Sequence, residues 1–381
     1  MSSPSGPTPG AAHLDALAPV ISDVIAPAAA EIDRSGSYPR AAMDALGAAG
    51  LLGLVSAEDV GGMGLGHRAA AEVVEQLAGA CGSTAMVVTM HYAAAAVIEA
   101  NGPKEVRQDV AAGSVVASLA FSEAGSRSHF WAPLSTAVAE NGGFRLDAEK
   151  SWVTSAGEAG GYVWSSRPVA ADGASTIWYL PAGTPGLDLA GTFDGLGLRG
   201  NASRPMTASG VKVDAGAMLG PDGGGLDVMM GTVLPYFQLM SAAFSVGTMA
   251  AATGKAAAHA SGTRLEHLDQ SLADNPTVRA NVARMQVRTD MARGLLLDAL
   301  NALEQGRPDT MLRILEVKAA AGEESTAVTD LAMRVCGGAA FRREVGVERH
   351  FRDARAATVM APTTDALYDF IGRALCGLPV F

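Results

Sequence analysis

The apolar pattern of this chain changes period twice, and that pair of changes restricts it to helices flanking a central β unit. Leu14, Leu17, Ile21, Val24, Ile25 and Ala28 recur at three- and four-residue spacing, which puts them on one helical face despite Pro19 and Pro27. The same spacing runs through 43–51, 69–77 and 83–100, with the glycine-rich Gly61-Gly62-Met63-Gly64-Leu65-Gly66 between the first two. At about Ser114 the texture shifts to short, often β-branched runs at 115–121, 135–139, 144–146, 162–166, 176–180 and 211–213, bounded by turn signals such as Asn141-Gly142-Gly143. Past Gly223-Gly224-Gly225 the helical period returns in Ala-, Leu- and Met-rich stretches at 229–259, 277–304, 311–335 and 364–375. The expected fold is α+β: a helical domain over 13–112, a compact antiparallel β domain over 113–222 and a helical bundle over 223–381.

Bulk properties narrow the function. Apolar residues at 49% supply a substantial core. A net charge of −11 argues against nucleic acid as a partner, because binding a phosphate backbone needs clustered Lys and Arg. Cys81, Cys336 and Cys376 are odd in number and widely spaced, which fits a reducing cytoplasm better than a disulfide framework or a zinc site. Residues 1–12 read as a disordered tail without the basic and apolar regions of a secretory signal. The mostly apolar window near 85–97 is interrupted by His91 and is too short to span a bilayer, so no membrane segment is expected. His91 itself reads as a packing residue. The other histidines show no metal-ligating spacing, and no metal is expected. There is no internal repeat and no G-x-G-x-x-G after a strand, so a doubly wound dinucleotide domain is not supported.

Three motifs carry more specific information. Phe121-Ser122-Glu123-Ala124-Gly125-Ser126-Arg127-Ser128 is followed by Lys150-Ser151-Trp152-Val153-Thr154-Ser155-Ala156, and later by Arg334-Val335-Cys336-Gly337-Gly338-Ala339-Ala340-Phe341 with Glu348-Arg349 and Arg352-Asp353-Ala354. In this order they resemble the [ST]-E-P-G-A-G-S, K-x-W-I-T-N-G and Q-x-x-G-G-x-G-[FY] motifs of the acyl-CoA dehydrogenase superfamily, and the resemblance extends over about 13–381. It implies FAD held between the β domain and a carboxy-terminal four-helix bundle. Phe121, Ser122 and Ser128 inherit flavin or thioester contacts, Trp152 covers one face of the isoalloxazine ring, and the Thr154 hydroxyl lies near N5. Arg334, Gly337 and Gly338 inherit an approach to the adenosine half of a neighbouring subunit's cofactor, and Arg264 its pyrophosphate, which implies a homo-oligomer, dimer or tetramer. Thr363 is placed either against the flavin or as a helix cap.

The departures concern the proton acceptor. Arg352–Asp365 resembles the segment that bears the family's catalytic glutamate, with Ala361 in its place; the alternative position, in a D-x-E-R pattern aligned with Pro235-Tyr236-Phe237-Gln238, holds Phe237. Loss of a general base typically costs roughly 10²–10⁴-fold in rate. Substitute polar groups are Asp365, one helical turn from Ala361, and Arg127 and His129, which replace a glycine and an aspartate of the family loop. Gln238, at a family arginine, is a further candidate, and Glu123 reads as structural.

The resemblance therefore implies an FAD-dependent oxidoreductase acting on an acyl thioester of CoA or a carrier protein, or a related metabolite, without the usual carboxylate. The alternatives are a monooxygenase using reduced flavin, a base-less partner subunit of a hetero-oligomeric dehydrogenase, and a non-redox lyase. The implied redox partner is an electron-transfer flavoprotein or a flavin reductase.

Overall fold

The structure, a computed structural model, describes residues 12–126 and 129–380. Six helices come first: α1 Ala12–Val20, α2 Ala26–Ser35, α3 Arg40–Ala48, α4 His67–Ala80, α5 Gly82–Asn101 and α6 Lys104–Ala111. The first helical run passes its prolines by widening. Ile21–Ile25 forms a π turn in which the Ala26 amide reaches the Ile21 carbonyl, so the register has already shifted when Pro27, which has no N–H to give, is reached. α5 is apolar on all sides and buried over most of its length, as a helix at the centre of a core must be. The short α6, with a polar exposed face, was not among the expected helices.

The β unit consists of two sheets. Strands β1 Ala117–Ala120, β4 Gly161–Ser166 and β5 Thr176–Pro181 form one, in the order β1-β4-β5; β2 Thr136–Glu140, β3 Gly143–Val153, β6 Leu187–Leu189 and β7 Arg204–Val213 form the other, in the order β2-β3-β7-β6. The expected antiparallel arrangement needs correcting at one pair, since β1 and β4 run parallel. The chain leaves β1 for the second sheet, makes the β2–β3 hairpin there, and returns beside β1 in the same direction; periodicity within a strand carries no information about its partner's direction. The 144–146 run is the start of an eleven-residue strand whose alternation is masked at Lys150, a charged residue that points inward.

The carboxy-terminal unit begins with α7 Gly225–Val228 and a second π turn, Met229–Val233, and continues into α8 Leu234–Gly262. A hairpin of β8 Arg264–Leu265 and β9 Gln270–Ser271 leads to α9 Pro276–Gln305, α10 Thr310–Cys336, α11 Val347–Ala354, α12 Ala356–Val359 and α13 Thr364–Leu375. α8, α9, α10 and α13 pack as a bundle, and α8 also crosses α4. That crossing depends on Gly247, where a Cβ would stand 2.1 Å from the Glu75 carbonyl oxygen. The continuous helical stretch Gly225–Gly262 is long and apolar enough to cross a membrane, but 78% of its most apolar window is buried inside the protein, as in a core helix.

Candidate functional site

All three units meet around a cavity of about 850 Å³. The β unit supplies Phe121 and Ser122 after β1, and Trp152 and Thr154 at the end of β3. Met86 and Met90 come from α5. Val233, Leu234 and Phe237 come from the π turn and the first turn of α8. Here too a proline, Pro235, follows a π turn; the wider turn brings Val233, Leu234 and Phe237 to one wall. The segment that carries Arg352, Arg355, Val359, Met360 and Ala361 completes the lining.

Trp152 is 61% exposed although it lines the cavity, and the Phe193 ring stands nearly perpendicular to it at 6.4 Å between ring centroids. Thr154 also lines the cavity, its hydroxyl buried 3.1 Å from the Ser203 hydroxyl. The loop bearing Phe193, Leu196 and Gly197 is fastened to the carboxy-terminal unit. Gly197 lies so close to the Arg352 backbone that a Cβ would come within 2.5 Å of it, and the Leu198 amide donates to the Asp353 carboxylate at 2.7 Å. Burial raises Asp353 to about 6. Arg352 grips Asp33 of α2 through two bonds of 2.7 and 2.6 Å, tying the amino-terminal unit to the same corner.

Glu123 is the one carboxylate among the described lining residues, and it is fully engaged. Lys150 Nζ meets Glu123 Oε1 at 2.5 Å, while the Leu134 and Ser135 amides and the Ser135 hydroxyl also donate to the carboxylate. Burial opposes its ionisation, but Lys150 and these donors together hold it below the ordinary glutamate range. Its role is to close the Ser122 loop against β3.

Lys318, on α10, lies behind the Ala361 wall. Its ammonium donates to the carbonyls of Pro362 at 2.7 Å, Met360 at 3.0 Å and Ala357 at 3.3 Å, and stands 5.8 Å from the centroid of the Phe237 ring. No carboxylate pairs with it among the described residues, and burial lowers it to about 7. Sequence reading missed it. The signal was present, because 314, 315, 318, 321, 322 and 325 share one buried helical face.

The other predicted residues lie elsewhere. Asp365 is exposed in the first turn of α13, where a carboxylate favours the helix dipole, and does not line the cavity. Thr363 caps that helix, its hydroxyl accepting from the Ala366 amide at 3.4 Å. Gln238 is fully buried on α8, away from the cavity. His129 is exposed, with Nδ1 3.1 Å from the Ser126 carbonyl and its ring edge against Trp131. Arg264 is exposed and paired with Asp269, and Arg334, Gly337 and Gly338 are exposed at the end of α10. Arg127 and Ser128 fall outside the described residues. His91 is a packing residue: the Ala117 amide donates to Nδ1 at 3.0 Å, so Nε2 carries the proton toward the Leu52 carbonyl at 2.8 Å.

Comparison with known proteins agrees with this architecture. The family profiles described as the N-terminal, middle and C-terminal domains of acyl-CoA dehydrogenase match residues 12–115, 118–211 and 223–376. A curated relative, the probable acyl-CoA dehydrogenase YngJ of Bacillus subtilis, is 28% identical over 363 residues, covering 92% of this chain and 93% of its own. The solved butyryl-CoA dehydrogenase of Megasphaera elsdenii superposes with a TM-score of 0.90 at 22% identity, covering 98% of this chain and 100% of its own. An FAD complex of PigA superposes with a TM-score of 0.89 at 19% identity, covering 99% of each chain. With helical, β and helical units each matched in order along nearly its whole length, this chain belongs to the acyl-CoA dehydrogenase family.

Proposed function

We propose that the protein is a flavin-dependent oxidoreductase that holds FAD along the β-unit wall of the cavity and an acyl thioester against the Phe237 side. One observation carries this reading: Phe237 and Ala361, from distant parts of the chain, line the same cavity as Trp152, Thr154 and Ser122. The residues fit the group. An exposed indole offers a face to a tricyclic ring, and the Thr154 hydroxyl in the same lining can donate to a ring nitrogen. FAD bound there would supply the hydride acceptor. The chain's own residues cover the ring, hold a hydrogen bond at its edge and keep water from the reacting carbon through the apolar wall of Phe237, Met360 and Ala361.

In this reading proton removal has no carboxylate at either of the two positions. YngJ and the Megasphaera protein are named for acyl-CoA dehydrogenation, which supports a thioester substrate here. Arg264, Arg334, Gly337 and Gly338 face solvent away from the cavity, and we assign them to a neighbouring subunit's cofactor in a homo-oligomer. An electron-transfer flavoprotein would take the electrons, in the cytoplasm.

A second reading, a monooxygenase fed reduced flavin by a reductase, is favoured by the same wall, since the one lining carboxylate among the described residues is neutralised by Lys150. Anaerobic mixing of the FAD-loaded protein with a panel of acyl thioesters separates the two. Bleaching of the flavin is expected for the dehydrogenase; no bleaching, with oxygen-dependent product after chemical reduction, would establish the monooxygenase instead.

A further inference from the structure

Lys318 is buried with no acidic partner among the described residues, behind the wall that carries Ala361 and beside Phe237, the two positions at which a catalytic carboxylate was expected. Its location invites the idea of a replacement base, but the geometry opposes it. An ammonium has three N–H groups, and three carbonyl oxygens, of Ala357, Met360 and Pro362, receive them. These backbone carbonyls surround Nζ, and Lys318 is not part of the cavity lining, so it does not reach a carbon held in the cavity.

We infer that Lys318 is a positioning residue of the cavity: its ammonium gathers the carbonyls on both sides of Ala361 and so fixes where the Met360–Ala361 wall stands beside Phe237. These oxygens belong to a segment that is otherwise poorly held. α12 is only four residues long, and the chain from Met360 to Thr363 has no helical ladder of its own. Carbonyls turned inward there would be left unpaired without a donor, and three charge-assisted bonds from one side chain satisfy them together. Val317 and Ala319 flank the lysine on a helix packed into the core, so the clamp is anchored on a rigid element. Displacement of the wall changes the room available to a ligand and leaves the β-unit wall, with Trp152 and Thr154, where it was.

The inference rests on reading the cavity as the flavin and acyl site, and two readouts keep the two claims apart. The first is hydrogen exchange of the FAD-loaded protein, followed by mass spectrometry. Lys318→Met is expected to speed exchange of peptides covering 357–363 by about tenfold or more, the loss of charge-assisted bonds, with little change in peptides from β3. Lys318→Arg, which keeps the charge, should fall between the two. The second is titration with butyryl-CoA followed by the flavin spectrum, where Lys318→Met should weaken binding by about tenfold while FAD affinity stays within about threefold. Exchange at 357–363 unchanged in Lys318→Met overturns the clamp. Should that variant not fold, the same exchange comparison between Lys318→Gln and Lys318→Arg decides, with equal protection in both overturning it. If the unsubstituted protein takes up FAD but no thioester, the substrate reading fails and the exchange data alone judge the clamp.

Discussion

Glu123 and Lys150 form an ion pair, 2.5 Å between Oε1 and Nζ, that is almost wholly excluded from solvent and joins the loop after β1 to the middle of β3. The lysine also donates to the carbonyl and hydroxyl of Ser165, so each partner is saturated. Removal of one partner from a buried pair leaves an uncompensated charge, which typically costs about 3–5 kcal/mol, whereas removal of both can be nearly neutral. Lys150→Met should therefore lower the unfolding free energy by about that amount, and Glu123→Gln combined with Lys150→Met should recover most of it. Urea unfolding of the three proteins checks this; a single variant within about 1 kcal/mol of wild type would show that the pair closes nothing.

Trp152 offers a second test, because of the four tryptophans Trp164 and Trp178 are fully buried and Trp152 is 61% exposed. Iodide should quench mainly Trp152 in the FAD-free protein, and FAD should remove most of that quenching. Trp152→Ala should weaken FAD binding by about tenfold, the order expected from loss of an aromatic stack of about 1–1.5 kcal/mol. Equal iodide quenching with and without FAD would place the ring elsewhere.

The long helices were legible because their periodicity and end signals agree. α13 spans Thr364–Leu375 as its pattern indicates, since the Thr363 hydroxyl and the apolar spacing mark the same start. Less visible was anything that depends on a distant partner. Whether β1 lies parallel to β4 is decided by the excursion of the chain into the second sheet, and β6 has only three residues to display a period. Within the cavity, the aromatic and hydroxyl residues of the β unit stand out by their motif. The loop from Phe193 to Leu198 does not, because what holds it is a glycine pressed on the Arg352 backbone and a carboxylate from α11. Lys318 was hidden for another reason: a charged residue in an Ala-rich helix reads as a solvated position unless its place on the apolar face is counted.

Acid should destabilise the fold in a defined window. Burial lowers His91 and His67 to about 4, and burial with the nearby Arg349 and Lys255 lowers His350 to about 3, all from an ordinary 6.5. A base whose folded pKa is depressed binds protons more readily when unfolded, so its contribution is intact above about 6.5 and is lost as pH falls toward 4. For His91 the reason is visible, since protonating Nδ1 would set N–H against the Ala117 N–H. Asp353, raised to about 6, works in the opposite sense, gaining stability as pH falls from 6 toward its unfolded value, but it is one group against three. Unfolding free energy should drop by several kcal/mol between pH 6.5 and 4, the fully buried His91 and His350 each adding on the order of 3 at about 1.4 kcal/mol per pKa unit and the partly exposed His67 less. His91→Gln, which cannot take up a proton, should flatten part of that slope. A flat profile from pH 6.5 to 4 would contradict the buried, neutral assignment.

Ala361→Glu addresses the chemistry directly. The side chain at 361 lines the same cavity as Phe237, and the backbone there is held by Lys318 through the carbonyls of Met360 and Pro362. A carboxylate introduced at that point enters an apolar wall, which raises its pKa and favours proton capture from a carbon held against it. If the protein oxidises thioesters slowly for want of a base, the variant should speed anaerobic flavin bleaching by roughly 10²–10⁴-fold with little change in thioester affinity. If it is a monooxygenase, the same charge placed in a dry pocket should lower oxygen-dependent turnover and leave bleaching absent. A variant that folds, retains FAD and changes neither rate would mean that position 361 does not face the reacting carbon, and the placement of the acyl group against this wall would have to be abandoned.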